Sequence, residues 1–463
     1  MRPPAPAPAS APASALALAL ALALLADPGR ALAQGAAGAA PPAATKLTLE
    51  EAIAKALAGP RARMAEGEAA AAAARVDEAD AARLPRIKAT AYGTISPKIE
   101  CVNIDCTQTS PKNFALEFEG VFGSAQLDVT QPLYTFGKIA HARRAARAGL
   151  AAQRALADEA AGDLAVDAAR AYWGVKLARE LGAMLDDGIE EIGKARARMD
   201  ERTGKDAPTI QDKQRVAVLL AEAKAQRAEA RGGELQGLAG LRALTGVPSA
   251  DIDDQVLAAI ERPLPGAATG EARPQARAAR EGAVAADELA RMAASYYWPD
   301  VALVGSGVIA RAQGVDDPPS AFASDPYNRS GAGLVLALQW TAEPWNVKAR
   351  VARARAEAAR AHALRELAAA GASYDASTAL AEATAARDKV AAAAEGEQAA
   401  RAWIASVLQA DAIGAAETKD LADAYIAWFQ MRARWAQSVY QWNVAVVRLG
   451  RATGEFRAAP RRP

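Results

Sequence analysis

The fold is decided at Leu84-Pro-Arg-Ile-Lys-Ala-Thr-Ala-Tyr-Gly-Thr-Ile95, where apolar or small residues alternate with polar ones. A side-chain period of two is the pattern of a β-strand with one apolar and one wet face. A counterpart begins 214 residues later, as Trp298-Pro-Asp-Val-Ala-Leu-Val-Gly-Ser-Gly-Val-Ile309. Later landmarks repeat at an offset of 208 residues, from Gln131 to Gln339 and from Gly246 to Gly454. The sequence therefore predicts an internal duplication.

Each half is expected to contain a helix, a strand, a loop, a second strand, a very long helix, a turn and a further helix. The expected divisions are a signal peptide (1–33), an N-terminal linker (34–46), a first repeat (47–246), a connector (247–270), a second repeat (271–454) and a C-terminal tail (455–463). The signal peptide is inferred from the apolar run Ala15–Ala26, which is too short to span a membrane, and from a small-residue cleavage site at Ala33.

Four strands are predicted for the chain. Their expected ranges are 87–99, 114–129 with a β-bulge near Gly123-Ser124, 301–310 and 331–340. Each is long enough to cross a bilayer as a tilted strand, which takes about 9–11 residues. An ordinary soluble sheet is the alternative. Four strands cannot close a transmembrane barrel, whose minimum is about eight, whereas three chains would supply twelve strands. Strands in a membrane would thus require an oligomer.

The helices predicted after each strand pair are longer than a globular domain needs. The first runs from Lys138 to Arg202 without proline and returns from Thr209 to Leu244. The second runs from Asn346 to about Ala410, turns around Gly414 and returns from Thr418 to Leu449. Rows of apolar or small residues step by seven along these helices, which predicts coiled-coil packing. One such row is Leu421, Trp428, Trp435, Trp442 and Leu449. We interpret it as a seam between helices in preference to a docking stripe for a partner.

Composition argues against several classes of function. The 463 residues include 55 basic and 54 acidic side chains and only two histidines and two cysteines. This balance disfavours nucleic-acid binding, and the few ligands disfavour a multi-ligand metal site. The segment Gly305-Ser-Gly-Val-Ile-Ala310 imitates a dinucleotide-binding motif, but a loop follows it where that motif needs a helix. We predict no cofactor, no metal, no catalytic residue and no enzymatic activity, with His141 and His362 on the surface.

Three groups of residues remain as candidates for a role. Cys101 and Cys106 lie in one polar loop and are read as a small disulfide, or else as two free thiols. Carboxylates near the helix turns would form rings of three charges in a threefold assembly, or else are solvated helix ends. These candidates are Asp200, Asp206, Asp411 and Glu417. Basic residues after the strands mark where helices leave a membrane interface, or else form a solvated face. They include Arg143, Arg144, Arg147, Arg350 and Arg353.

The order of short motifs resembles that of the TolC-like outer membrane efflux proteins. The motifs are Leu47-Thr-Leu-Glu-Glu-Ala-Ile53, Leu84-Pro85, Gln131-Pro-Leu-Tyr-Thr-Phe-Gly-Lys138, Leu244-Thr-Gly246, and Gly414 with Asp420-Leu421. The resemblance covers nearly all of the chain after the signal peptide. It implies a mainly α fold with a small transmembrane β part, in which a homotrimer closes a 12-stranded β-barrel continued by an α-helical tunnel.

The resemblance also implies a cellular role. The protein is expected in the outer membrane, extending into the periplasm, as the passive exit duct of a tripartite efflux or type I secretion system, with a gate at the periplasmic helix tips formed by the candidate carboxylates. Its expected partners are two further copies of itself, outer-membrane lipid, a periplasmic membrane-fusion adaptor and an inner-membrane pump of the RND, ABC or MFS type, with no nucleic acid. The helix-turn tips Gly204, Lys205, Ile413 and Gly414 are expected to dock the adaptor. The alternative is a periplasmic coiled-coil adaptor or scaffold with a soluble β-domain.

Overall fold

The computed structural model describes residues 44–98, 117–201, 209–315, 327–413 and 418–458. The signal peptide and the pair Cys101 and Cys106 lie outside these ranges, so both remain predictions. The described elements are, in chain order, β1 (Thr45–Leu47), α1 (Leu49–Leu57), α2 (Pro60–Ala81), β2 (Arg86–Pro97), β3 (Phe118–Tyr134), α3 (Lys138–Glu201), α4 (Ile210–Thr245), β4 (Ala250–Ile252), α5 (Pro274–Ser295), β5 (Asp300–Ala312), β6 (Arg329–Gln339), α6 (Pro344–Ala412) and α7 (Thr418–Thr453).

Local sequence signals set the helix ends. Thr48 opens α1 with a capping box, in which its hydroxyl accepts from the backbone of Glu51 and the Glu51 carboxylate accepts from the backbone of Thr48. Thr209 and Asp212 repeat this arrangement at the start of α4. Gly246 ends α4 with a φ of 69°, a left-handed conformation that glycine adopts without steric cost. The predicted repeat boundary at Gly246 is therefore a true helix end.

The long helices pack as the seven-residue rows predict. With 64 residues in α3 and 69 in α6, these helices extend for roughly 96 and 104 Å at about 1.5 Å per residue. In α3, Leu164, Leu185, Ile192 and Met199 are spaced by multiples of seven residues, and all four are buried. The tryptophan row of α7 lies at a helix seam, because Trp442 and Leu449 pack on the buried alanines of α6. The interpretation of that row as a seam is confirmed.

Four strands form one antiparallel sheet in the order β2-β3-β5-β6. The bulge predicted near Gly123-Ser124 is wrong, because Gly93 pairs with Gly123 and Tyr92 with Ser124 in unbroken register. The apolar phase slips there because Phe122 belongs to the polar face of the sheet. The register shifts instead near the strand ends, between Ile95 and Pro97 and between Pro132 and Tyr134.

The connector between the repeats is a strap held by helices of both halves. Its strand β4 pairs in parallel with β1, next to the start of the first repeat. Lys176 of α3 binds Asp253 at 2.6 Å, and the side chain of Lys176 is only 3% exposed. Asn443 of α7 donates to the Ala258 carbonyl and accepts from the Ile260 amide, both at 2.8 Å. The strap therefore fixes the two repeats to each other.

Candidate functional site

The sheet has an outward row of apolar side chains on one face. Cross-strand neighbours on this face include Ile87, Val129, Gly305 and Leu334 at one level. Ala89, Leu127, Gly307 and Ala332 form the next level. Ile87 and Leu334 are 70% and 69% exposed, and Leu336 and Leu338 beside them are equally open. Soluble proteins rarely leave so continuous an apolar surface uncovered, so this face needs an apolar environment.

The opposite face of the same sheet is polar along β2 and β3, and mainly small or apolar along β5 and β6. Lys88, Asp128 and Ser306 lie side by side on it, followed by Thr90 and Gln126 at the next level. Gln126 donates to the Asp128 carboxylate at 3.0 Å. This alternation along β2 and β3 is the pattern of strands with lipid on one side and water on the other.

An aromatic cluster interrupts the polar face toward the far end of the strands. The Phe122 ring is 8% exposed and lies 5.9 Å from the Tyr92 ring and 5.7 Å from the Tyr327 ring, measured between centroids. Aromatic pairs at these separations stabilise one another beyond simple burial. The cluster thus joins β2, β3 and the residues just before β6.

A belt of exposed aromatic residues marks the junction between sheet and helices. Phe136 stacks on Trp298 with the ring centroids 5.7 Å apart, and Tyr134 meets Phe136 edge-on. Lys138 closes the belt by donating to Asp300 at 2.8 Å and to the Trp298 carbonyl at 3.0 Å. Aromatic residues of this kind concentrate where a membrane meets water.

The basic residues below this belt differ between the repeats. Arg143 and Arg147 of α3 both bind Asp80 of α2, and Arg144 binds Glu288 of α5 at 2.8 Å. The hydrogen bond from Arg143, helped by Arg147, lowers the pKa of the Asp80 carboxyl below its usual value. On α6, Arg350 lies 4.7 Å from the centre of the Tyr296 ring and Arg353 is 3.6 Å from Glu357. Their assignment to a membrane interface remains a prediction.

Both histidines contact α5, where they bind the consecutive carboxylates Asp287 and Glu288. His141 contacts Glu288 at 2.7 Å with 21% of its side chain exposed, so the prediction that it is a surface residue is wrong. His362 contacts Asp287 at 3.0 Å. Burial raises the pKa of Glu288, but hydrogen bonds from His141 and Arg144 outweigh it and lower the pKa overall. No sequence pattern indicates the cluster around Glu288, because Arg144 and His141 are 144 and 147 residues away from it in the chain.

The far helix ends hold two of the predicted carboxylates. Asp200 on α3 is 3.2 Å from Lys213 on α4, and both side chains are about half exposed. Asp411 near the end of α6 lines a small cavity with Arg198, Met199 and Tyr425. Ile413, just after α6, is 82% exposed. The other predicted gate and docking residues, Asp206, Glu417, Gly204, Lys205 and Gly414, lie outside the described residues.

The sequence also left unassigned a buried ion-pair network between the two repeats. Arg273, just before α5, is only 4% exposed in its side chain and binds Glu159 of α3 at 3.0 Å and Asp375 of α6. Arg451 of α7 binds the same Glu159 at 2.9 Å. Nearer the helix tips, Arg432 of α7 binds Glu180 of α3 at 2.6 Å. In an alanine-rich helix, arginines and carboxylates that form buried ion pairs have the same sequence pattern as solvent-exposed ones. Only the packing of the helices distinguishes the two.

No described helix has both the length and the apolar content to cross a membrane. No sequence among the curated proteins matches the chain. Residues 53–247 match the family model described as outer membrane efflux protein.

Solved structures cover most of the chain. CusC matches with a TM-score of 0.74 at 16% identity over 89% of this chain and 92% of its own. The CmeC outer membrane channel of Campylobacter jejuni matches with a TM-score of 0.72 at 18% identity over 89% and 87% of the two chains. The outer membrane protein VceC of Vibrio cholerae gives 0.71 at 18% identity over 88% and 96%. The resemblance to TolC-like proteins is thereby confirmed: residues 53–247 match the outer membrane efflux protein model, and the described chain has the fold of outer-membrane channels.

Proposed function

We propose that this protein is the outer-membrane exit duct of a tripartite efflux or type I secretion system. The observation that carries the proposal is a sheet with an uncovered apolar face and a reverse face that is polar along β2 and β3, continued by helices of 64 and 69 residues. Strands of 11 to 17 residues exceed the roughly 9–11 needed to cross a bilayer. Helices of roughly 100 Å then reach far into the periplasm.

The duct is a trimer in this proposal. The sheet ends at β2 on one side and at β6 on the other, and an unpaired strand edge cannot face lipid because its backbone groups would lack partners. Three sheets of four strands close a ring of twelve. All neighbouring strands within the chain are antiparallel, and joining β6 to β2 of the next copy continues that alternation.

The protein would conduct passively. An adaptor and an inner-membrane pump of the RND, ABC or MFS type would supply contact and energy, while this chain supplies a sealed wall and a gate. A periplasmic scaffold with a soluble β-domain accounts less well for the fold, because such a domain would cover the apolar face carrying Leu127, Ile309 and Leu336.

The helix tips form the gate in this proposal. Asp200 and Asp411 would each contribute one carboxylate per copy to rings that favour cations. In planar bilayers we expect Asp411→Asn to lower the cation preference of the open channel. Glu190→Gln, an exposed carboxylate farther from the tip, is the control. Equal effects of the two changes would remove Asp411 from the gate.

Fractionation of cells tests the proposal as a whole. The protein should sediment with outer membranes, resist carbonate extraction and migrate as a trimer that heating converts to a monomer. A monomer released by carbonate would refute the exit duct and restore the scaffold.

A further inference from the structure

Two helices lie next to the free edges of the sheet. Helix α2 ends at Ala81, five residues before β2 begins at Arg86, and α6 begins at Pro344, five residues after β6 ends at Gln339. Within one chain α2 packs on α3, and the first turns of α6 pack on α5. In a trimer of the proposed kind, α6 of one copy therefore runs beside α2 of the next, in the opposite direction.

The free face of α6 is exposed over its first eight turns. Val347, Val351 and Ala354 face α5 and are buried. The opposite face carries three large exposed residues, Trp345 at 81%, Leu367 at 69% and Tyr374 at 69%. Between them lie the small exposed residues Ala349, Ala352, Ala356 and Ala363, with the exposed Arg360 beside them. The free face of α2 is also exposed and consists mainly of small residues, namely Gly67, Ala71, Ala74 and Ala81.

The ends of these two helices that lie nearest the sheet carry opposite charges. The first turns of α6 carry Lys348 and Arg355, and the last turns of α2 carry Asp77 and Glu78. All four side chains are exposed, and no ion pair is recorded for any of them within the described part of one chain. By contrast, Arg143 of the first repeat already binds a carboxylate of its own chain.

We propose that α6 of one copy docks on α2 of its neighbour as an antiparallel pair, with Lys348 beside Glu78. This assignment rests on the proposed function and names the surface through which its copies meet. Ala74 of α2 lies 12 residues before β2 and Ala352 of α6 lies 13 residues after β6, so the two alanines are at nearly the same distance from the sheet. Small residues on both faces allow close approach of the two helices, and the charges fix their relative height. Complementary charge favours a second copy over lipid headgroups, because an anionic membrane surface would repel Asp77 and Glu78.

Cysteine cross-linking tests the register. Ala74→Cys and Ala352→Cys are combined in a chain carrying Cys101→Ser and Cys106→Ser, and treated in outer membranes with a short bifunctional maleimide. We expect covalent dimers and trimers on a denaturing gel. The matched control replaces Ala352→Cys with Ala370→Cys, which is exposed on the same side of α6 but roughly 27 Å lower, at about 1.5 Å per residue. Cross-linking of the control alone, or of neither pair, would overturn the proposal.

A charge exchange gives a second readout. Glu78→Lys and Lys348→Glu should each lower the temperature at which the trimer dissociates, since an exposed pair contributes about 1.4- to fivefold in association per boundary. The double variant Glu78→Lys with Lys348→Glu should regain the wild-type dissociation temperature. Lys224→Glu, an exposed change on α4, is the control and should have no effect. Absence of recovery would contradict this pairing alone, whereas a wild-type protein without a trimer would contradict the proposed function.

Discussion

Because the two faces of the sheet differ, an arginine should have different effects at the adjacent positions 126 and 127 of β3. Leu127 lies near the middle of β3 on the apolar face, between Ala89 and Gly307, and is 48% exposed in the single chain. Gln126 precedes it on the polar face, between Thr90 and Val308. Arginine at either position keeps the backbone and the strand pairing. Only at position 127 would the guanidinium have to enter lipid.

The magnitude follows from this placement. An arginine on the lipid face of a barrel costs about 2–4 kcal/mol at the bilayer midplane. That cost corresponds to a factor of roughly 30 to 900 in the folding equilibrium of each chain, at about 1.36 kcal/mol per tenfold change. Three copies in a trimer would bring it to about 6–12 kcal/mol, so Leu127→Arg should nearly abolish assembly. Gln126→Arg should change it little.

The assay is the fraction of each variant that reaches the outer membrane as a heat-sensitive trimer at equal expression. Urea midpoints for trimers refolded in lipid vesicles give the energetic scale. Equal losses for the two variants, or a greater loss for Gln126→Arg, would refute the assignment of the faces.

Three further predictions follow from the helical part. Gly188→Ala should destabilise the protein by about 1–3 kcal/mol in thermal unfolding, because the new Cβ would collide with the Phe429 ring. Gly174→Ala, in open space on the same helix, should stabilise it by up to about 1 kcal/mol. Lys176→Met should lower the free energy of unfolding in urea by about 3–5 kcal/mol, because the partly buried carboxylate of Asp253 loses its cation. An unchanged urea midpoint would contradict the stabilising role of the strap. Glu288 has a lowered pKa, so its contribution to stability is complete above the ordinary glutamate value of about 4.3 and is lost as pH falls below it. Glu288→Gln should therefore destabilise the protein at pH 7 and reduce its loss of stability in acid, as measured by thermal melts across pH.

Periodicity in the sequence was enough to predict the strand pairs, the long helices and the tryptophan seam. These features repeat every two or seven residues, so neighbouring residues in sequence carry the signal. The predicted bulge is wrong because Phe122 is an apolar residue whose ring packs with Tyr92 and Tyr327 on the polar face, which breaks the apolar alternation without breaking the strand register. Hydrophobic periodicity assigns residues to one face of a strand or helix, but it does not show which residues pack against that face.

The ion pairs could not be predicted, because each depends on the rotation of one helix against another. Arg273 and Glu159 are 114 residues apart and meet only when α5 lies beside α3. The carboxylates at the tips are a different case. Asp200 was a reasonable candidate for a ring of charges, and its contact with Lys213 shows how it is held within one hairpin. Its position in a trimer depends on neighbouring copies.

The strap formed by the connector has a mechanical consequence. A trimer would contain six repeats, and so six boundaries between repeats. At three of them the covalent connector crosses, anchored through Lys176 on one side and Asn443 on the other. The remaining three are held by surface contacts alone. When such a ring widens, we expect the three boundaries between chains to open before the three boundaries within chains. Each chain would then move as one rigid unit.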